Sequence, residues 1–73
     1  MIVTIHVDDA MTNNELVDFL SSYDYDLLTR KSSFLDCVFT CTPIRDTAPT
    51  AYDLAFEMET WMDVTAKVID VEY

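Results

Sequence analysis

The stretch YDLLTRKSSFLDCVFTCT, residues 25–42, separates two folds that this chain could adopt. Residues 34–42 are rich in β-branched and aromatic side chains, which suit a pleated, half-buried surface. Read as a strand, they place Leu35, Cys37, Phe39 and Cys41 on one face and Phe34, Asp36, Val38 and Thr40 on the other. Pro43 closes the run, because proline donates nothing to a ladder. Residues 25–30, YDLLTR, read as a short strand before it, with Lys31-Ser32-Ser33 as a hairpin loop. If both strands form, the chain is β-α-β-β-α-β. If 25–30 stays irregular, a three-stranded βαβαβ sheet remains.

The flanking segments supply the other elements. MIVTIHVD, residues 1–8, alternates: Val3, Ile5 and Val7 point one way, Ile2, Thr4 and His6 the other. Thr12-Asn13-Asn14-Glu15 is a capping box, and Met11 and Leu16 occupy the hydrophobic-staple positions. Leu16, Phe19, Leu20 and Tyr23 follow at helical spacing, so a helix is expected over 12–22. Either Thr47 or Thr50 could cap a second helix over 49–62, with Pro49 near its first turn. Its apolar stripe is Ala51, Leu54, Ala55, Met58, Trp61 and Met62. Residues 65–73 form a last strand, with Lys67, Ile69, Val71 and Tyr73 opposite Val68, Asp70 and Glu72. The order is that of the ferredoxin-like, split βαβ arrangement: α+β, an antiparallel sheet with two helices on one face.

The 73 residues make one small domain, 1–73, which buries only ~60% of its unfolded surface. Hydrophobic residues make up 51% of the chain, enough to build a core and to argue against disorder. No apolar run approaches the ~18 residues of a membrane span. The N-terminus lacks a basic region and reaches Asp8 and Asp9 early, unlike a signal peptide. Cys37 and Cys41 lie ~13 Å apart along a strand, too far for a disulfide, and free thiols fit a reducing cytoplasm. With no glycine at all, the chain holds no Gly-rich phosphate loop.

Charge is the outstanding compositional feature: 14 Asp and Glu against 4 Lys and Arg, a net −10. Such a surface repels nucleic-acid and membrane phosphates and attracts basic surfaces, so the expected partner is a basic protein, with no direct nucleic acid and no membrane. Solubility alone is the other reading of the same charge. Asp53, Glu57, Glu59 and Asp63 fall on the outer and flanking positions of the second helix. Asp36, Asp70 and Glu72 are expected on the sheet face that the helices leave open. Tyr52 and Phe56, four apart, lie beside the apolar stripe among those acids. They either wrap the edge of the core or anchor an interface, where aromatics bury and rim charges steer.

No catalytic, cofactor or metal site is expected. His6 is alone, on the opposite face from both cysteines, so four zinc ligands are not available. Asp8-Asp9 and Asp24-Tyr25-Asp26 lack the spacing of an EF-hand loop. No pair of carboxylates stands out for acid–base work, and no substantial pocket is expected.

In size, charge and single-domain build the chain resembles the small acidic inhibitors that bacteriophages encode against host nucleic-acid machinery, including anti-CRISPR proteins and DNA mimics. Acids displayed on helix and strand faces, such as Asp53/Glu57 and Asp70/Glu72, carry that resemblance. It implies a cytoplasmic protein that occupies a basic groove so that DNA or RNA cannot. Asp70 and Glu72 would lie ~6.8 Å apart, whereas duplex DNA carries a charge every ~1.7 Å of axis. Only a short patch of phosphates could be replaced. The alternative is a structural or regulatory module that dimerises through its open sheet face, with Ile2, Phe34, Val38 and Val68 exposed there.

Overall fold

The computed structural model describes residues 1–73 throughout. Six elements follow in order: β1 (Ile2–Val7), α1 (Asn13–Ser22), β2 (Tyr25–Ser32), β3 (Cys37–Pro43), α2 (Ala51–Met62) and β4 (Ala66–Glu72). The sheet runs β2-β3-β1-β4, and every neighbouring pair is antiparallel. The protein is therefore a small α+β fold with a four-stranded antiparallel sheet and two helices. No helix is long and apolar enough to cross a membrane.

Residues 25–30 do form a strand, and it is longer than expected. β2 continues through Lys31 and Ser32, the residues assigned to the hairpin loop. The loop is instead 33–36, and β3 starts only at Cys37. Local polar bonds set that boundary. The Ser33 N–H donates to the Asp36 carbonyl at 2.8 Å, and the Ser33 hydroxyl donates to the Asp36 carboxylate. This closed turn takes Phe34 and Leu35 out of the ladder and leaves both exposed.

Both helix starts follow from short-range chemistry. Thr12 caps α1 with the full box: its hydroxyl accepts the Glu15 N–H at 3.2 Å, and the Glu15 carboxylate accepts the Thr12 N–H at 2.9 Å. Met11 and Leu16 are both buried, as a hydrophobic staple requires. Thr50, rather than Thr47, caps α2, accepting the Asp53 N–H at 3.2 Å. The second helix thus starts at Ala51 and not at 49. Its far end is Asp63, in the left-handed region at φ 54°. Asp24, after α1, is at φ 60°. Asp tolerates this region better than most residues, and a chain without glycine uses it there.

The core is one cluster between the helices and one sheet face. Val3, Ile5 and Val7 from β1, Tyr25 from β2, and Cys37, Phe39 and Cys41 from β3 meet Leu16, Phe19 and Leu20 of α1 and Leu54, Ala55 and Met58 of α2. Two β-bulges break the expected alternation at the sheet edges. In β4, Val68 pairs with Ile5 but Asp70 pairs with Thr4, so Ile69 is extra. In β2, Leu27 pairs with Cys41 but Thr29 with Thr40, so Leu28 is extra. The bulge corrects two expectations. Val68 packs against the core and not on the open face, and Val71 also turns inward, away from Lys67 and Ile69.

Both cysteines are free and buried. Burial pushes the Cys41 thiol up to about 12 and raises that of Cys37. Only thiolates react readily. Neither cysteine should therefore be modified by a thiol reagent at neutral pH until the fold opens, and both should react at once in denaturant. Rapid labelling of native protein, followed by mass spectrometry, would contradict the burial.

Candidate functional site

Neither helix contains a Lys or Arg. Two of the four cations are already engaged near the helices. Arg30 Nε donates to the Met11 carbonyl at 2.7 Å, and Arg45 Nε lies 3.3 Å from an Asp24 carboxylate oxygen. The other two, Lys31 and Lys67, are on the open sheet face, because they pair with Val38 and His6. The negative charge is thus concentrated on the helices and their loops, and the outer surface of α2 is its most distinctive part.

Three large aromatics of α2 are exposed: Tyr52 70%, Phe56 65% and Trp61 71%. Tyr52 and Phe56 do not wrap the core; they face solvent, on the flank of α2 next to β4. Trp61 is not part of the apolar stripe either, but it lies on the opposite flank of α2, ~180° around the helix from Tyr52 and ~140° from Phe56. It sits ~60° around the helix from Met58. Met62 continues the stripe, packing against the core. Trp61 swings toward α1, and its indole N–H donates to Glu57 Oε2 at 2.8 Å.

The four acids of α2 play different parts. Glu57 is held in place: the same Oε2 also accepts the Tyr23 hydroxyl at 3.0 Å, which joins the end of α1 to α2. Desolvation, and then this bond to the carboxylate, raise the Tyr23 phenol above its ordinary value. Glu59 is half-buried and accepts the Ala66 N–H at 3.1 Å, bracing the connection into β4. Asp53 and Asp63 accept no side-chain or loop bond of this kind and are exposed. They are the freely presented charges.

Two depressions open to solvent adjoin the aromatics, where no substantial pocket was expected. One, of about 550 Å³, is bordered by Tyr25, Pro43, Ala51, Tyr52, Val71 and Tyr73. The other, of about 420 Å³, lies between α2 and β4, against Tyr52, Phe56, Glu59, Lys67 and Val68. Tyr52 borders both. The surface offers projecting rings and adjacent hollows, a relief that a partner's side chains can interlock with.

The remaining acids of interest lie elsewhere. Asp36, in the β2–β3 loop, meets His6 Nε2 at 2.9 Å. The bond from Ser33, and then that from His6, hold its carboxyl below the ordinary value of 3.8. Ser33 bonds the carboxylate and not the imidazole, so this trio is not a Ser–His–Asp relay. Asp70 and Glu72 project from the open face on edge strand β4, the strand that also carries Lys67. The expected site residues therefore form two surfaces: Tyr52, Asp53, Phe56, Glu57, Glu59 and Asp63 on α2, and Asp36, Asp70 and Glu72 on the sheet side. No three His, Cys, Asp or Glu side chains converge as metal ligands.

Comparison with protein families, curated proteins and solved structures finds no match to this chain.

Proposed function

We propose that this protein binds a basic protein through the outer surface of α2 and occludes the place where nucleic acid would sit. The observation that carries the reading is the pair of exposed aromatics, Tyr52 and Phe56, together on one flank of a helix with acids and no cation. Aromatic anchors supply most of the energy of protein interfaces, and surrounding charge steers the encounter. The resemblance to phage-encoded inhibitors makes a nucleic-acid-guided effector of the anti-CRISPR type the class of target to test first. The strand order, read from its other edge as β4-β1-β3-β2, supports a ferredoxin-like assignment, a frame that leaves α2 free on one side.

Asp63 supports the reading through its cost. It sits at the C-terminus of a helix, where a negative charge opposes the macrodipole by ~0.3–1 kcal/mol, and at a positive φ. Asp63→Asn should therefore raise thermal stability while weakening partner binding. The binding test is capture from cells that carry the gene, followed by titration of the purified partner. The paired change Tyr52→Ala with Phe56→Ala should lower affinity at least ~100-fold, as loss of two anchors does. Asp53→Lys should weaken it further as salt falls, and duplex DNA should displace the protein from its partner. Lysine substitutions at Glu15 and Asp18 of α1 should have little effect. Equal losses from the α1 and α2 variants would remove α2 as the binding face, and a partner indifferent to DNA would remove the occlusion mechanism.

A further inference from the structure

The open sheet face has an order that the net charge conceals. Register places its side chains in three rows across the strands. The first row is Lys31 (β2), Val38 (β3), His6 (β1) and Lys67 (β4). The second is Thr29, Thr40, Thr4 and Asp70. The third holds Asp26 on β2, Thr42 on β3, and Ile2 and Glu72 on β1 and β4. The two central strands thus present Ile2, Thr4, His6, Val38, Thr40 and Thr42, with no Asp, Glu, Lys or Arg among them. Every formal charge in the three rows lies on an edge strand. An uncharged centre within a charged rim is the anatomy of a protein interface.

The rim charges are also segregated along the strands. On the edge strands, lysines occupy one end, at Lys31 and Lys67, and acids the other, at Asp26 and Glu72; at the lysine end the Asp36 carboxylate is bonded to His6. A two-fold axis lying in the plane between two copies, parallel to the rows, turns one end over the other. It stacks β2 on β2 and β4 on β4. Lys31 then faces Asp26 of the second copy, and Lys67 faces Glu72. An axis parallel to the strands would set Lys31 against Lys67 and Asp26 against Glu72. The four end charges therefore favour the first arrangement, in which Asp70, in the middle row of β4, meets its own counterpart.

We infer that the open sheet face binds a second copy of this chain, forming a two-fold dimer with Lys31–Asp26 and Lys67–Glu72 pairs across it. Four strands ~4.8 Å apart and six residues at ~3.3 Å give a footprint of roughly 400 Å² per copy. That is below the ~800 Å² per partner of a standard interface, so the dimer belongs to the weak, concentration-dependent class. It covers the sheet and leaves α2 outward on both sides. The inference does not depend on the function proposed for α2, and either can fail alone.

Sedimentation velocity on the full chain tests it, from ~10 μM to ~1 mM, the range that resolves a weak dimer. The mass should rise with concentration from the 8.4 kDa of one chain toward twice that value. Lys31→Glu with Lys67→Glu should shift the midpoint to at least tenfold higher concentration, since four attractive pairs become repulsive. Adding Asp26→Lys and Glu72→Lys to that variant should restore the association. These side chains are exposed, and circular dichroism will confirm that the fold persists. Persistence of the monomer across the whole range would overturn the inference. So would a dimer unaffected by the lysine reversals, which would point to pairing through the edge strands instead.

Discussion

Phe39→Ala should remove ~3–5 kcal/mol of stability, the usual cost of a core phenylalanine truncated to a cavity. Phe39 is fully buried on β3, between Ile5 of β1 and Arg30 of β2, in the sheet face covered by both helices. A domain of this length holds only ~4–11 kcal/mol in all, at ~0.05–0.15 kcal/mol per residue. The variant should therefore lose most of its cooperative urea transition at physiological temperature. Phe56→Ala removes the same ring from an exposed site and should change stability by no more than ~0.5 kcal/mol. A Phe39→Ala midpoint close to that of Phe56→Ala would mean that the core is not where the structure places it.

Salt should stabilise this protein markedly at neutral pH. Ten net negative charges meet only one Arg or Lys ion pair, Arg45–Asp24, and the His6–Asp36 hydrogen bond, both partly open to water. Self-repulsion therefore outweighs what screening would remove from those pairs, which are weak in any case. Raising NaCl from ~0.05 M to ~0.5 M shortens the screening length from over 10 Å to a few Å. Each 1 kcal/mol of repulsion relieved raises Tm by ~4–8 °C in a domain of this size. A melting temperature that falls with salt would show that attractive pairs dominate instead.

Acid acts on the same balance with an added turn. As pH falls toward the pI of about 4.1, net charge shrinks and stability should first rise. Asp36 and Glu15 then oppose that trend. Bonds from Ser33 and His6 depress Asp36, and the Thr12 N–H depresses Glu15 below its ordinary 4.5. A depressed carboxyl contributes stability above its unfolded value and loses it as pH falls through its folded value. Stability should therefore peak on the acid side of neutrality and decline below ~4. Thermal melts across pH, with Asp36→Asn as the comparison, will resolve the two limbs.

Much of the architecture is legible in the residues because it depends on neighbours in sequence. The Thr12 capping box, the Met11–Leu16 staple and the alternation of β1 are local patterns, and each occurs in the structure where those patterns put it; that of β3 holds from Cys37 onward but not over 34–36, which form a turn. Tyr52 and Phe56 were recognisable as off-stripe residues by helical spacing alone. Trp61 was not, since its place in the stripe was compatible with a core position. Its exposure depends on Met62 continuing the stripe and on the Glu57 carboxylate being available for its indole N–H. The carboxylates of Glu57 and Glu59 look like free surface charges in the sequence. Their partners, Tyr23 and Ala66, are brought to them by the packing of α1 and by the turn into β4.

The sequence by itself determined that this chain builds a two-layer α+β domain with an acidic surface, because hydrophobic periodicity, caps and net charge are sums over local choices. Only the tertiary structure decided where that charge is concentrated and where it is relieved. The bulges at Leu28 and Ile69 reset the alternation of both edge strands, and a one-residue shift moves every later side chain to the other face. With those shifts, Lys31 and Lys67 come to one end of the open face, and Asp26 and Glu72 to the other. No window along the chain contains that arrangement, since it arises from register between strands that are distant in sequence.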